Sequence, residues 1–190
     1  MTYRELAQRT HGALAQYTHA QLARLGMLLI YDRTQADVDL VAELHALVAA
    51  MGPSTPAAEM DKWRSSLKGA YNTDDLNRVE RFGAYLADTL TRYGYPVTIN
   101  AKQDWAKTDF VPPAQLERIR ANVNALRYAF YTYATTPSTP PLDPLNYQRA
   151  NDLERILADI DVLVDNMRRT WPWCGIFTAE GGMPDGSITG

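Results

Sequence analysis

The sequence predicts an all-α protein: a helical bundle of about five or six helices with an extended aromatic strap and a C-terminal arm. Three observations predict it. First, between Asn146 and Met167 the apolar residues Ala150, Leu153, Leu157, Ile160, Val164 and Met167 fall three or four apart, one stripe along a helix that Ile156 and Leu163 widen. Asp152, Glu154, Arg155, Asp159, Asp161 and Asp165 take the other side, so this helix is expected to have one dry face and one wet face. Second, a block recurs. Leu116-Glu117-Arg118-Ile119 through Leu126 matches Leu153-Glu154-Arg155-Ile156 through Leu163 at six of eleven positions, 37 residues upstream. Val79-Glu80-Arg81-Phe82 lies 37 residues before that, and Asn72 and Asn77 match Asn146 and Asn151. Third, caps and breakers bracket each striped stretch.

Taken in order, residues 3–25 permit a helix whose stripe (Leu6, Ala13, Leu14, Tyr17, Leu25) is loose, so residues 1–31 form an N-terminal helix or arm in need of a partner. Met27-Leu28-Leu29-Ile30-Tyr31 is either its buried end or a short extended piece. The bundle spans 32–170. Thr34 caps a helix with Asp37 in the capping-box position, and that helix carries Val38, Val41, His45, Val48 and Met51 before Gly52-Pro53 stops it. Thr55-Pro56 starts a short helix with Met60, Trp63 and Leu67 on one edge. Asn72 or Thr73 caps the next, with Asp74 and Asp75 in a first turn where carboxylates suit the dipole. Its stripe is Leu76, Val79, Phe82, Leu86, Leu90 and Tyr93, ended by Gly94 and Pro96. Residues 95–111 lack a helical period and read as a strap marked by Trp105, Phe110 and Val111. Pro112-Pro113 opens the helix of Leu116, Ile119, Val123, Leu126, Phe130 and Tyr133. Four prolines from Pro137 to Pro144 read as a stiff spacer. Pro172 closes the last helix, leaving 171–190 as an extended arm and flexible tail.

Composition removes several function classes. A net charge of −3 with no Lys/Arg cluster argues against nucleic acid as a partner. The longest apolar run, Met27–Tyr31, is far short of the roughly 20 residues a membrane span needs, so no membrane is expected. MTYRELAQ has no apolar signal region. A lone cysteine, Cys174, excludes an internal disulfide framework and suits a reducing compartment. Eleven Tyr and four Trp point instead to broad packing or contact surfaces.

No residue pattern here carries chemistry. Cys174 lacks a histidine near it in sequence and reads as a semi-buried thiol. His11 and His19 are eight apart, whereas zinc-helix ligands stand four apart beside a glutamate. His45, on an apolar stripe, reads as a core histidine. Asp159 and Asp161 begin like a calcium loop, yet their register is helical and no glycine follows. Gly181-Gly182 lacks the lysine and helix of a phosphate loop, and Pro137-Ser-Thr-Pro140 is a common match to PxxP. No catalytic residue, cofactor or metal is therefore expected. Trp171-Pro172-Trp173, with Phe177, leaves three alternatives open: packing on the protein's own bundle, filling a partner's groove, or stacking on sugar.

Three blocks in order carry a family resemblance: Asp32-Arg-Thr-Gln-Ala-Asp-Val-Asp39, then Trp63-Arg-Ser-Ser-Leu-Lys-Gly-Ala-Tyr-Asn72, then Asp75-Leu-Asn-Arg-Val-Glu80. Gln103-Asp-Trp105, Asn122-Val-Asn-Ala-Leu-Arg127 and Tyr147-Gln-Arg-Ala-Asn-Asp-Leu-Glu154 follow. The order resembles small structural proteins encoded in the tail region of phages and prophages of Gram-positive bacteria. It covers about residues 30 to 180 and leaves the first 25 unmatched. The resemblance implies a non-enzymatic virion component of a tail or baseplate, made in the host cytoplasm and assembled from identical copies. A trimer or hexamer in contact with other tail proteins is expected, with Trp171, Trp173 and Phe177 as the partner-binding residues. The alternative is a host-surface module of an adhesion device that binds carbohydrate.

Overall fold

Two of the helices begin alike, with a short polar side chain and an aspartate three residues on. In the computed structural model of the chain, residues 26–51 and 67–178 are described, the side chains of residues 51, 67 and 171–178 excepted. The Thr34 N–H donates to Asp37 Oδ2 at 2.7 Å and the Asp37 N–H returns to Thr34 Oγ1 at 3.3 Å, opening helix α1, Gln35–Met51. Asn72 repeats the device. Its Oδ1 accepts from the Asp74 and Asp75 N–H groups while its own N–H donates to Asp75 Oδ2, opening α2, Thr73–Arg92. Both caps satisfy donors that a first turn leaves bare. Pro113 opens α3, Pro113–Ala129, where a missing N–H costs nothing. The last helix, α4, runs Tyr147–Thr178. With one 3₁₀ turn, Leu67–Gly69, these are the regular elements among the described residues, and no strand is among them. The helices expected over 3–25 and from 55 lie outside the described residues.

Helices α2, α3 and α4 pack on one another. Leu76, Val79, Phe82, Leu86 and Leu90 from α2 meet Ile119, Val123 and Leu126 from α3 and Leu153, Ile156, Leu157, Ile160 and Val164 from α4 in one buried cluster. The non-helical connections complete it with Leu29 and Tyr31 on one side and Trp105 and Leu142 on others. So Met27–Tyr31 is not the end of a helix, and the Pro137–Pro144 segment is not a free spacer. Pro140 and Leu142 are buried, and the Pro137 carbonyl accepts from Arg127 Nε at 3.0 Å. Among the described residues no helix is long and apolar enough to cross a membrane.

α1 packs against the 3₁₀ turn. A Cβ on Gly69 would lie 2.1 Å from the Asp37 carbonyl oxygen, so only glycine lets these two backbones touch. Its buried residue is Leu44, whereas His45, expected in the core, is exposed. The reason is local: Val38, Leu40, Val41, Leu44, Leu47 and Val48 surround this helix, so spacing alone singles out no face.

Two expectations for α4 are overturned. Its carboxylates are not a wet face: Glu154, Asp159, Asp161 and Asp165 are all at most 5% exposed. The helix is enclosed by α2, α3 and the connections, and the partners described below answer its charges. Nor does it stop at Pro172, for residues 171–178 continue the helix rather than form an extended arm. Proline's fixed φ is itself helical, so what it removes is one hydrogen bond and some space against the preceding turn, which a long packed helix survives. The tail over 179–190 lies outside the described residues.

Leu157, with no exposure, and Leu47, 54% exposed, separate the two kinds of apolar position. Leu157→Asp should leave the protein unfolded or insoluble, since an unpaired charge in the core costs several kcal/mol. Leu47→Asp should melt within about 0.5 kcal/mol of the parent. Thermal melts followed by circular dichroism compare the two.

Candidate functional site

The polar residues of the bundle converge on Glu154. Its Oε1 accepts from Arg33 Nη2 at 2.8 Å and from Arg78 Nη2 at 2.9 Å; its Oε2 accepts from Arg78 Nε at 2.9 Å and from the Ile30 N–H at 2.7 Å. One turn earlier, Asn151 grips the backbone of Arg33 at both ends. It accepts from the Arg33 N–H at 3.1 Å and donates to the Arg33 carbonyl at 2.8 Å. Arg33 completes its own set with Asp75 at 3.0 Å, the Lys68 carbonyl at 3.0 Å and the Ile30 carbonyl, and Arg78 also bonds Asp75. Two guanidiniums and two carboxylates thus neutralise each other in the interior. Burial works against the Arg78 charge, but the Glu154 and Asp75 carboxylates more than offset it and raise its pKa above the ordinary arginine value.

α2 carries a second copy of this arrangement. Asn77 accepts from the Trp105 N–H at 2.8 Å and donates to the Trp105 carbonyl at 2.9 Å. Glu80, one turn on, accepts on Oε2 from the N–H of Lys102 at 2.8 Å, as Glu154 accepts from Ile30 three residues before its own gripped residue. Its Oε1 accepts from the side chain of the gripped residue, Trp105 Nε1 at 3.0 Å, as Glu154 Oε1 accepts from Arg33. An arginine from a neighbouring helix then bridges both oxygens: Arg118 for Glu80, Arg78 for Glu154. Even the turn beyond is shared, with Asp37 Oδ2 accepting from the Thr34 N–H and Asp109 Oδ2 from the Ala106 N–H. Each Asn-x-x-Glu on a helix therefore clamps one extended connection. Asn122 makes a lesser version, bonding both the N–H and the carbonyl of Asn100 at 3.0 and 2.6 Å.

Two further buried carboxylates of α4 are answered by side chains. Asp159 accepts from Thr136 Oγ1 and Arg155 Nε, each at 2.7 Å, and Asp165 pairs with Arg168 and Arg169. Chemically, Asn77, Glu80, Asn122, Asn151 and Glu154 hold non-helical backbone onto a bundle, since unpaired peptide N–H and C=O groups there would be costly.

Beside the first clamp lies a cleft of about 620 Å³, walled by Arg33, Gln35 and Val38 on one side and Asn146, Tyr147 and Gln148 on the other, with Tyr71 between. Arg33 stands over the Tyr71 ring at 5.4 Å, and the Tyr71 hydroxyl is buried without a hydrogen-bond partner. Burial, then the Glu154 and Asp75 carboxylates, push that phenol far above its usual range, so it keeps its proton. Elsewhere on the surface Phe110, Tyr128 and Tyr131 are 82%, 75% and 72% exposed.

The residues singled out from sequence fall differently. The backbones of Trp171, Trp173, Cys174 and Phe177 lie in α4 and their side chains are outside the description, as are His11, His19 and Gly181-Gly182 altogether. Asp159 and Asp161 are buried helix residues, and no group of three or more metal-ligating side chains occurs among the described residues. Arg33, Asp75, Arg78 and the two Asn-x-x-Glu pairs were missed as a site. Their signal was the match of Asn77 and Glu80 to Asn151 and Glu154 at one spacing. Compared with known families, characterised proteins and solved structures, the chain gives no match.

The recurring block supplies its own control, because Glu117 holds the position of Glu80 and Glu154 yet faces solvent and pairs with Arg120. Glu154→Gln should lower stability by about 3–5 kcal/mol, the cost of breaking a buried charged network from one side. Glu117→Gln should leave the urea midpoint unchanged. Equal midpoints for the two variants would contradict the clamp.

Proposed function

We propose that the chain is a structural, non-enzymatic subunit of a phage tail or baseplate assembly, acting through protein–protein contacts. The observation that carries this reading is the outward display of large rings on a locked bundle. Tyr128 and Tyr131 are each more than 70% exposed, and between them Phe130 packs edge-on against Tyr95 at 4.8 Å and Tyr131 at 5.5 Å. Rings held on a fixed base lose little freedom on binding, and aromatic side chains are enriched at protein interfaces. The internal neutralisation of the buried charges suits a rigid building block, and the ordered sequence blocks support the tail assignment. On this reading identical copies form a trimer or hexamer that contacts other tail proteins, assembling in the host cytoplasm and remaining in the virion. Further helices over 3–25 and from 55, the aromatic strap, and partner contacts by Trp171, Trp173 and Phe177 belong to the same proposal.

The test is self-association and particle entry. Tyr128→Ser with Tyr131→Ser should preserve the circular dichroism spectrum while abolishing the oligomer in analytical ultracentrifugation and its incorporation into tails. A parent chain that sediments as a monomer at high concentration and is absent from purified particles would overturn the reading.

A further inference from the structure

We propose that the outer face of α3 is a two-fold contact between copies of this chain, in which two α3 helices lie antiparallel and centre on Ala121. The inference rests on the assembly reading above and narrows it, because a trimer has no two-fold axis and a hexamer of three pairs does.

Spacing and exposure define the face. Ala114, Glu117, Ala121, Ala125 and Tyr128 stand three or four apart, on the side of the helix away from the buried Ile119, Val123 and Leu126. All five are exposed except the half-buried Ala125. On α2 and α4 the matching residues, Asn77 with Glu80 and Asn151 with Glu154, each hold a connection of the chain. On α3 they are Ala114 and Glu117, which hold none among the described residues. Large rings mark both ends. Phe110 stands just before the helix, Tyr128 in its last turn and Tyr131 just after it, each more than 70% exposed.

The strap carries Phe110 to the end opposite the tyrosines. Tyr95 meets Phe130 at the C-terminal end of α3, and the Asn100 carbonyl is bonded first by Asn122 and then by Arg118. The strap therefore runs back along the helix toward its start before it reaches residue 110. The 17 residues of α3 span about 25 Å.

Area and pattern select the occupant. An aromatic side chain covers roughly 150–250 Å², so three rings at this exposure offer on the order of 450 Å² per copy. A specific contact needs about 1,000 Å² in total. Phe110 against its own copy, or the two tyrosines against theirs, falls short; both ends at once, with the helix between them, reach it. A second α3 laid antiparallel uses both ends at once, because each N-terminal end meets the other copy's C-terminal end. Centring on Ala121 also sets rings against space. Ala114 of one copy faces Tyr128 of the other, Ala125 faces Glu117, and Phe110 comes beside Tyr131. Charge does not oppose the pairing, since Glu117 and Arg120 already neutralise each other on each helix at 2.6 Å.

Disulfide trapping in the full-length Cys174→Ser chain tests the arrangement. Ala121→Cys should give a covalent dimer on oxidation, since a disulfide needs Cα atoms within about 7 Å. Glu117→Cys should not link to itself, because its two copies stand about 12 Å apart along the helices. It should link when mixed with Ala125→Cys. In analytical ultracentrifugation Phe110→Ser should weaken self-association about ten-fold or more with an unchanged circular dichroism spectrum. The proposal is overturned if the parent associates while Ala121→Cys stays unlinked, if Glu117→Cys links to itself as readily as Ala121→Cys, or if Phe110→Ser associates like the parent. In each of those cases the assembly reading stands. A parent chain that sediments as a monomer and is absent from purified particles overturns both.

Discussion

A carboxylate with no solvent exposure, Glu154, sits about two turns into the last helix, and most of the described architecture follows from answering its charge. A lone ionised group there would be intolerable. Arg33 and Arg78 reach it from two different parts of the chain, and the Ile30 N–H fills the remaining lone pair. That single requirement brings together the segment before α1, the first two turns of α2 and α4. Asp75 then does two things at once: its Oδ2 completes the cap of α2 and its Oδ1 neutralises the arginines.

The protein solves the same problem twice. An extended connection laid across a helical bundle has peptide groups that no helix or sheet will satisfy. Asn77 and Asn151 satisfy one such residue each at both its N–H and its carbonyl, and Glu80 and Glu154 take the N–H three residues earlier. Because these bonds read backbone, the gripped residues can differ, and they do: Trp105 in one copy and Arg33 in the other. The repeated Leu-Glu-Arg-Ile block of α3 does not take part as a third copy. Alanine stands at residue 114 where asparagine is needed, and Glu117 faces solvent.

A body pinned in this way has little internal freedom to spend. Exposed rings stand on a packed aromatic base, and a cleft opens beside the first clamp.

Much of the scaffold was legible in the sequence, because its signals are local. The caps at Thr34 and Asn72, the proline opening α3, the stop at Gly94 and the stripes of α2 and α4, with that of α3 as far as Leu126, all depend on neighbours within a turn or two, so spacing and residue type determine them; Phe130 and Tyr133, expected on the α3 stripe, lie beyond its end. The recurrence of Asn77 and Glu80 as Asn151 and Glu154 was visible too, but not its meaning. Whether a glutamate on a helix faces water or a guanidinium is settled by what packs against it, and Arg33 arrives from 121 residues away in sequence. The same holds for His45, whose helix is apolar on several sides, and for Pro172, whose effect depends on how firmly the helix before it is held. Short-range periodicity chose the described helices and the apolar faces of α2, α3 and α4. Only the tertiary structure decided that the supposed wet face of α4 is an interior, because the burial of a charge depends on partners that local sequence does not contain.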